Sequence, residues 1–292
     1  MELPDYINSH THILLDGAMG TMLFSRGLVS GSSPDEWNLS HPDEVRSVHR
    51  TYIEAGSQIV LTNTFGGSRL RLAQHHLESK TRSINQAAAE NALAEAQASS
   101  RKVYVAGSMG PTGSLLKPYG PLEPNQVRDA YAEQAEALRD GGVDLLWIET
   151  ISDLNEISLA IEGAQSTTDL PISATMTFEK NGRTVMGVKP EQAIAKLMNY
   201  KPVALGANCG TGPDEIEAVI EKMHQSNPDI PLVAKANAGI PQMIGGQIAY
   251  DGTPEIMAEY AVSIRRGGAK LIGACCGSTP EHIAAMSKSL EQ

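Results

Sequence analysis

The chain has 292 residues, 23 of them basic and 34 acidic, for a formal charge of −11 at neutral pH. That balance disfavours nucleic acid and anionic membrane surfaces as partners, and no run approaches the roughly 18 apolar residues of a membrane span. No Lys or Arg precedes Arg26 and no apolar stretch opens the chain, so no secretory signal is expected. The odd count of three cysteines points to free thiols in a reducing, cytoplasmic setting.

Taken in order, short aliphatic or β-branched runs alternate with helix-like stretches. Strands are predicted at 13–16, 59–63, 103–107, 145–149, 172–177, 203–208, 232–236 and 271–274. Helices are predicted near 43–55, 82–98, 124–140, 153–164, 190–199, 213–225, 254–266 and 281–290. Pro42-Asp43-Glu44, Pro213-Asp214-Glu215 and Pro254-Glu255 carry the proline and acids of a first helical turn. Gly56, Gly141-Gly142 and Gly267-Gly268 supply helix stops. Eight strand–helix units in a chain of this length predict a single-domain α/β fold, a (β/α)₈ TIM barrel spanning residues 1–292. A doubly wound open sheet usually carries a Gly-rich phosphate loop after its first strand, and Gly17-Ala18-Met19-Gly20 is not one.

In such a barrel, function gathers at the C-terminal ends of the strands. Those ends hold Asp16-Gly17-Ala18, Thr62-Asn63-Thr64-Phe65, Gly107-Ser108, Glu149-Thr150, Thr177, Asn208-Cys209-Gly210, Asn237 and Cys275-Cys276-Gly277. All three cysteines fall at two of them, strands 6 and 8, which are one strand apart. Three readings stand at the level of the residues. The thiols form a zinc site whose fourth tetrahedral position is open, as catalytic sites require; they are small buried hydrophobes; or Cys275 and Cys276 form a vicinal disulfide. A three-thiolate zinc carries net charge −1, acts poorly on water, and is suited to bind and deprotonate a fourth thiol. The reaction that follows is alkylation of a substrate thiol.

The segments Asp16-Gly17-Ala18-Met19-Gly20-Thr21, Thr62-Asn63-Thr64-Phe65, Gly107-Ser108-Met109-Gly110-Pro111, Glu149-Thr150, Gly206-Ala207-Asn208-Cys209-Gly210 and Gly273-Ala274-Cys275-Cys276-Gly277 resemble those of the homocysteine S-methyltransferases. That family includes betaine–homocysteine methyltransferase, S-methylmethionine-dependent enzymes and the homocysteine domain of cobalamin-dependent methionine synthase. The resemblance covers nearly the whole chain. It implies a zinc-bearing barrel with Cys209, Cys275 and Cys276 as ligands, and homocysteine and a methyl donor as substrates. It places Glu149 and Asp16 near the substrate ammonium, the Gly17-Ala18 backbone against the amino acid, and Asn208 and Ser108 at the rim. The expected donor is a small onium compound, glycine betaine or a methyl-sulfonium; the alternative is delivery by a separate corrinoid protein. Animal betaine enzymes place tyrosines near the donor at the positions matching Gly66 and Thr150. Oligomeric state is left open, a homo-oligomer included.

Other signals carry less. His10-Thr11-His12 enters the N-terminal end of the first strand, away from the expected site, and His75-His76 read as solvated. His282 reads as a helix cap or packing residue. Gly66-Gly67 and Gly245-Gly246 lack the Lys-Ser/Thr of a phosphate loop and read as loop glycines, hinges of a lid among the options. Lys189 and Lys235 either stabilise an anionic substrate or form barrel-rim ion pairs, and the ion pairs are the expectation. Trp37 is either a cation–π surface for an onium donor or a packed loop aromatic.

Overall fold

The computed structural model describes residues 2–179, 181–210, 212–244 and 247–291. The chain opens with a helix absent from the sequence expectation, α1 (Leu3–Ser9), which buries Leu3 and Ile7 against the lower end of the barrel interior. β1 (Ile13–Leu14) leads through the short helices α2 (Met19–Ser25) and α3 (Trp37–Ser40) to α4 (Pro42–Glu54). After β2 (Ile59–Leu61) come α5 (Arg69–Leu72) and the longer α6 (Thr81–Ala98). The alternation then becomes regular: β3 (Tyr104–Met109), α7 (Pro124–Asp140), β4 (Leu145–Ile151), α8 (Leu154–Gln165), β5 (Ile172–Met176), α9 (Pro190–Leu197), β6 (Ala204–Cys209), α10 (Pro213–Ser226) and β7 (Leu232–Ala236). A hairpin, β8 (Pro241–Ile244) and β9 (Gln247–Tyr250), precedes α11 (Pro254–Arg266), β10 (Ala269–Ala274) and α12 (Pro280–Leu290). Gly245-Gly246, expected as loop glycines, lie outside the described residues.

The eight predicted strands pair in parallel in the order β1-β10-β7-β6-β5-β4-β3-β2. The ends meet where Leu15 bridges Ile59 and the Gln58 N–H donates to the Leu14 carbonyl at 2.7 Å. The TIM barrel is therefore present, with helices outside. Pro42, Pro213 and Pro254 each stand at the start of a helix. The buried side of α4 shows why these segments are helical: Val45, Val48, His49, Tyr52 and Ile53 recur at helical spacing and line one face. Among the described residues no helix is long and apolar enough to cross a membrane.

Strand alternation sorts the interior into layers. Ile13, Leu15, Ile59, Leu61, Tyr104, Ala106, Leu145, Trp147, Ala204, Val233 and Leu271 form an apolar cluster inside the barrel. Two residues further along β3, β4 and β7, and four along β6, the same inward parity brings Ser108, Glu149, Lys235 and Asn208, all buried. An apolar floor thus carries a polar layer that opens toward the strand ends.

His49, on the core face of α4, is fully buried and neither ring nitrogen has a hydrogen-bond partner among the described residues. Burial drives its pKa down from 6.5 to about 4, against the pull of Asp16 and Glu95. The unfolded chain therefore binds this proton more readily than the folded one. The associated stability is present above about pH 6.5 and is lost as pH falls toward about 4. Full loss is on the order of 3 kcal/mol. Urea midpoints measured from pH 7 to 4.5 should fall more steeply with pH in the wild type than in His49→Leu. Equal pH slopes in the two proteins would contradict this.

Candidate active site and metal centre

Cys209 ends β6 with φ +60°, and Gly210 follows at φ +73°. Positive φ is uncommon outside glycine and marks a site held by its surroundings. The turn breaks the strand's alternation: Leu205 and Ala207 pack on the outer cluster, whereas Cys209 meets the other thiols. Its sulfur lies 3.0 Å from Cys275 Sγ and 3.7 Å from Cys276 Sγ, and all three sulfurs lie within 4.8 Å of one another. All three residues are partly buried.

The backbone around the thiols is pinned from several directions. The Cys275 N–H donates to the Ala236 carbonyl at 2.7 Å, and the Cys276 N–H donates to Asn237 Oδ1 at 3.1 Å. Asn237 Nδ2 donates in turn to the Gly210 carbonyl at 2.8 Å, tying the two cysteine turns together. Ser278 Oγ donates to the Cys275 carbonyl at 2.8 Å. Tyr250, at the end of β9, stands beside the Cys276 segment and helps to pull that thiol down. Its ring lies on Gly277, where an added Cβ would sit 2.3 Å from ring carbon Cγ.

Three thiols this close compete for one negative charge. Hydrogen bonds from Cys209 and Cys275 pull Cys276 down to about 3, despite burial. Cys209 is pushed well up by its hydrogen bonds to the other two thiols, then by burial. At Cys275 the bond from Cys209 pulls down, but the bond to Cys276 and burial outweigh it and push the thiol up to about 12. A cation removes this conflict by letting all three ionise. Sulfurs about 2.3 Å from a tetrahedral zinc are about 3.8 Å apart, close to the longer spacing observed. The donor set and its spacing fit a thiophilic metal.

Glu149 stands beside this cluster on β4. Burial pushes its carboxyl up to about 7, with Lys235 and Ser108 pulling it back and Cys275 and Asp16 pushing it further. Ser108 Oγ donates to Glu149 Oε1 at 2.6 Å, and no hydrogen bond reaches Oε2 among the described residues. Thr150, next along, adopts φ +63°. Asn208 holds it there: Asn208 Oδ1 accepts from the Thr150 N–H at 2.9 Å, and Asn208 Nδ2 donates to Thr150 Oγ1 at 2.6 Å. Asn208 Oδ1 also accepts from Thr175 Oγ1 at 2.6 Å. Asn208 thus orients the rim, with its full polar capacity spent on protein groups.

Asp16 is buried with both oxygens engaged. Oδ1 accepts from Lys235 Nζ at 2.9 Å and Oδ2 from the Leu61 N–H at 2.7 Å. The expected ion pair of Lys235 exists, though in the barrel interior instead of at the rim. Lys189 differs from expectation: it is exposed, forms no ion pair among the described residues, and its N–H bonds Gln192 Oε1 at the start of α9. A Cβ at Gly17 would come within 2.6 Å of Ser278 Oγ and 2.8 Å of the Tyr52 ring. Close approach therefore demands glycine there, but the neighbour is protein. The Ala18 N–H donates to Ser278 Oγ at 3.0 Å. Trp37 is partly buried against the core and stacks on His41. His282 caps α12, with Nδ1 on Thr279 and Nε2 on the Gly252 carbonyl. Asn237 and Tyr250 are the site residues that sequence reasoning gave no role. The pair of short runs flanking Gly245-Gly246 is a hairpin signal that could have found Tyr250.

A cleft of about 490 Å³, lined by Lys102, Arg139, Asp144 and Asp169 among others, opens before β3, β4 and β5. It lies at the N-terminal end of the strands, opposite the thiols.

Comparison with known proteins agrees with this geometry. The family profile described as homocysteine S-methyltransferase matches residues 13–290. The methionine synthases of Mycobacterium leprae and Mycobacterium tuberculosis are each 34% identical over 92% of the chain. The chain spans 23% and 24% of their lengths, about a quarter. The metallated form of the Escherichia coli homocysteine methyltransferase MmuM superposes with TM-score 0.83 at 26% identity, covering 98% of this chain and 99% of that one. An oxidized form of the same protein gives TM-score 0.83. Barrel, thiol cluster and family profile coincide over nearly the whole chain, which belongs to the homocysteine S-methyltransferase family.

Proposed function

We propose that the protein is a zinc-dependent S-methyltransferase that moves a methyl group from a small onium donor to homocysteine, giving methionine. The observation that carries this reading is the convergence of Cys209, Cys275 and Cys276, sulfurs within 4.8 Å of one another, beside a buried carboxylate. The metallated relative and the family profile support it. The chemistry a zinc held by these thiolates supplies is stabilisation of the substrate thiolate at the position that three protein ligands leave open.

The chain's own groups do the rest. Glu149, fixed by Ser108 on one oxygen, offers the other to the substrate ammonium as a charge-assisted bond. Asn208, Asn237 and Thr150 hold the thiols and the carboxylate in register. The bound thiolate then attacks the donor's methyl carbon; the new C–S bond forms as the methyl leaves cationic nitrogen or sulfur, whose bonding pair departs on a neutral amine or sulfide. Trp37 is packed on His41, so Phe65, 42% exposed after β2, is the better ring face for an onium methyl. A Cβ at Gly66 would sit 2.6 Å from Asp35 Oδ2, whose carboxylate accepts from the Gly66 N–H. No tyrosine fits there without displacing a buried acid, so the donor pocket differs from that of animal betaine enzymes.

The test is zinc-loaded protein with homocysteine and one donor at a time, followed by methionine detection. Turnover is expected with glycine betaine, dimethylsulfoniopropionate or S-methylmethionine. Turnover only with a methylated corrinoid protein would replace the onium donor with a protein-delivered one.

A further inference from the structure

Lys235 has no role in the chemistry above, yet it is one of the most deeply placed charges in the molecule. β7 points Val233 into the apolar floor and Lys235, two residues on, into the polar layer over it. Its side chain is 4% exposed and that of its partner Asp16 is 5% exposed, with Nζ 2.9 Å from Oδ1. Gly273 on the neighbouring strand packs closely on the segment that carries Asp16, where a Cβ would stand 2.7 Å from Leu15 Cβ and 2.9 Å from the Asp16 carbonyl oxygen. Burial alone would discharge such a lysine; Asp16 first, and Glu149 next, outweigh it and hold the ammonium charged.

The charges in this layer can be counted. Apart from the thiol cluster, the layer holds two carboxyl groups, Asp16 and Glu149, and one ammonium, Lys235, contributed by the segment after β1, by β4 and by β7. Each oxygen of Asp16 already accepts a hydrogen bond, one from Lys235 and one from the Leu61 N–H, whereas Glu149 keeps Oε2 free of hydrogen bonds among the described residues. One negative charge is therefore left over, at Glu149. A zwitterionic amino acid brings one ammonium.

We propose that Lys235 is the internal counter-ion that sets the charge of the substrate pocket: by occupying Asp16 it leaves Glu149 as the carboxylate for the ammonium of the amino-acid substrate. Lys235 is a positioning residue, acting through Asp16 and Glu149, and the proposal rests on homocysteine being the substrate. It has an unusual consequence for mutation. Removing Asp16 frees Lys235 to pair with Glu149 and so to capture the acid the substrate needs. Removing Lys235 leaves two carboxylates facing each other, one of which must take a proton. Removing both charges restores a lone Glu149.

The experiment is calorimetric binding of homocysteine to zinc-loaded wild type, Asp16→Asn, Lys235→Met and the double variant, with thermal midpoints recorded for each. Asp16→Asn should weaken binding tenfold or more, Lys235→Met should keep one carboxylate charged and change it little, and the double variant should return to within about threefold of wild type. The same proteins are titrated with 4-mercaptobutanoate, which has the thiol and carboxylate of homocysteine but no ammonium. It should bind the single variants at least as tightly as wild type, whereas a general structural defect would weaken both ligands. A double variant that binds homocysteine no better than Asp16→Asn would overturn the proposal and show that Asp16 grips the substrate itself. Wild type that binds no homocysteine would overturn the functional reading and this proposal with it.

Discussion

Cys275→Ala should reduce bound zinc from one per chain to near none and remove methyl transfer, while the barrel stays folded. Cys275 Sγ lies 3.0 Å from Cys209 Sγ, and the residue follows β10 outside the apolar core. Removing it takes away a metal ligand without opening a core cavity, so the thermal midpoint should shift by only a few degrees. The scale is set by comparison with Asn237, which pins both cysteine turns but offers no ligand. Loss of such a supporting residue typically reduces metal affinity or activity by roughly 10–100-fold. Cys209→Ala, Cys275→Ala and Cys276→Ala should each exceed that range, and Asn237→Ala should fall within it. Metal analysis after dialysis against a weak chelator separates the two classes. Full zinc occupancy in the triple Cys→Ala variant would show that the metal sits elsewhere.

The second large effect is expected at Glu149. Its carboxylate is buried, held by Ser108, and accepts no other hydrogen bond among the described residues. A lost charge-assisted contact in a buried site weakens binding by about 1.5–3 kcal/mol, roughly ten- to a hundredfold in Kd. Glu149→Gln keeps the shape and the bond from Ser108 but removes the charge, so the loss should appear in homocysteine affinity and leave zinc content unchanged. Calorimetry on the zinc-loaded variant measures the first and metal analysis the second. Unchanged affinity would mean that the ammonium binds elsewhere.

Much of this site is legible in the sequence because strand parity is simple. Ser108, Glu149 and Asn208 follow small or aliphatic residues at strand ends, and counting by two from the apolar floor turns all three inward. The cysteines stand out by residue type. Cys209 itself defies parity, and only its left-handed backbone lets it reach the others. What sequence cannot display is how shared polar atoms are divided. Asn208 reads as a substrate contact, yet Thr150, Thr175 and the Cys275 sulfur take up its four hydrogen-bonding positions. Asp16 reads as a partner for the ammonium, yet Lys235, 219 positions away, takes one of its oxygens. Tyr250 went unassigned for a different reason: it belongs to a hairpin outside the barrel alternation, and its contact with Cys276 depends on how that hairpin folds back over Gly277. Helix α1 is short and carries two buried apolar residues, too few to show a period.

The central claim is that three protein thiolates hold one zinc and leave a position for the thiol of homocysteine. X-ray absorption at the zinc edge, recorded on the zinc-loaded protein before and after adding homocysteine, tests it most directly. The expected result is three sulfur neighbours and one lighter atom without substrate, and four sulfur neighbours with it. A sulfur count that does not change on saturation with homocysteine would contradict it.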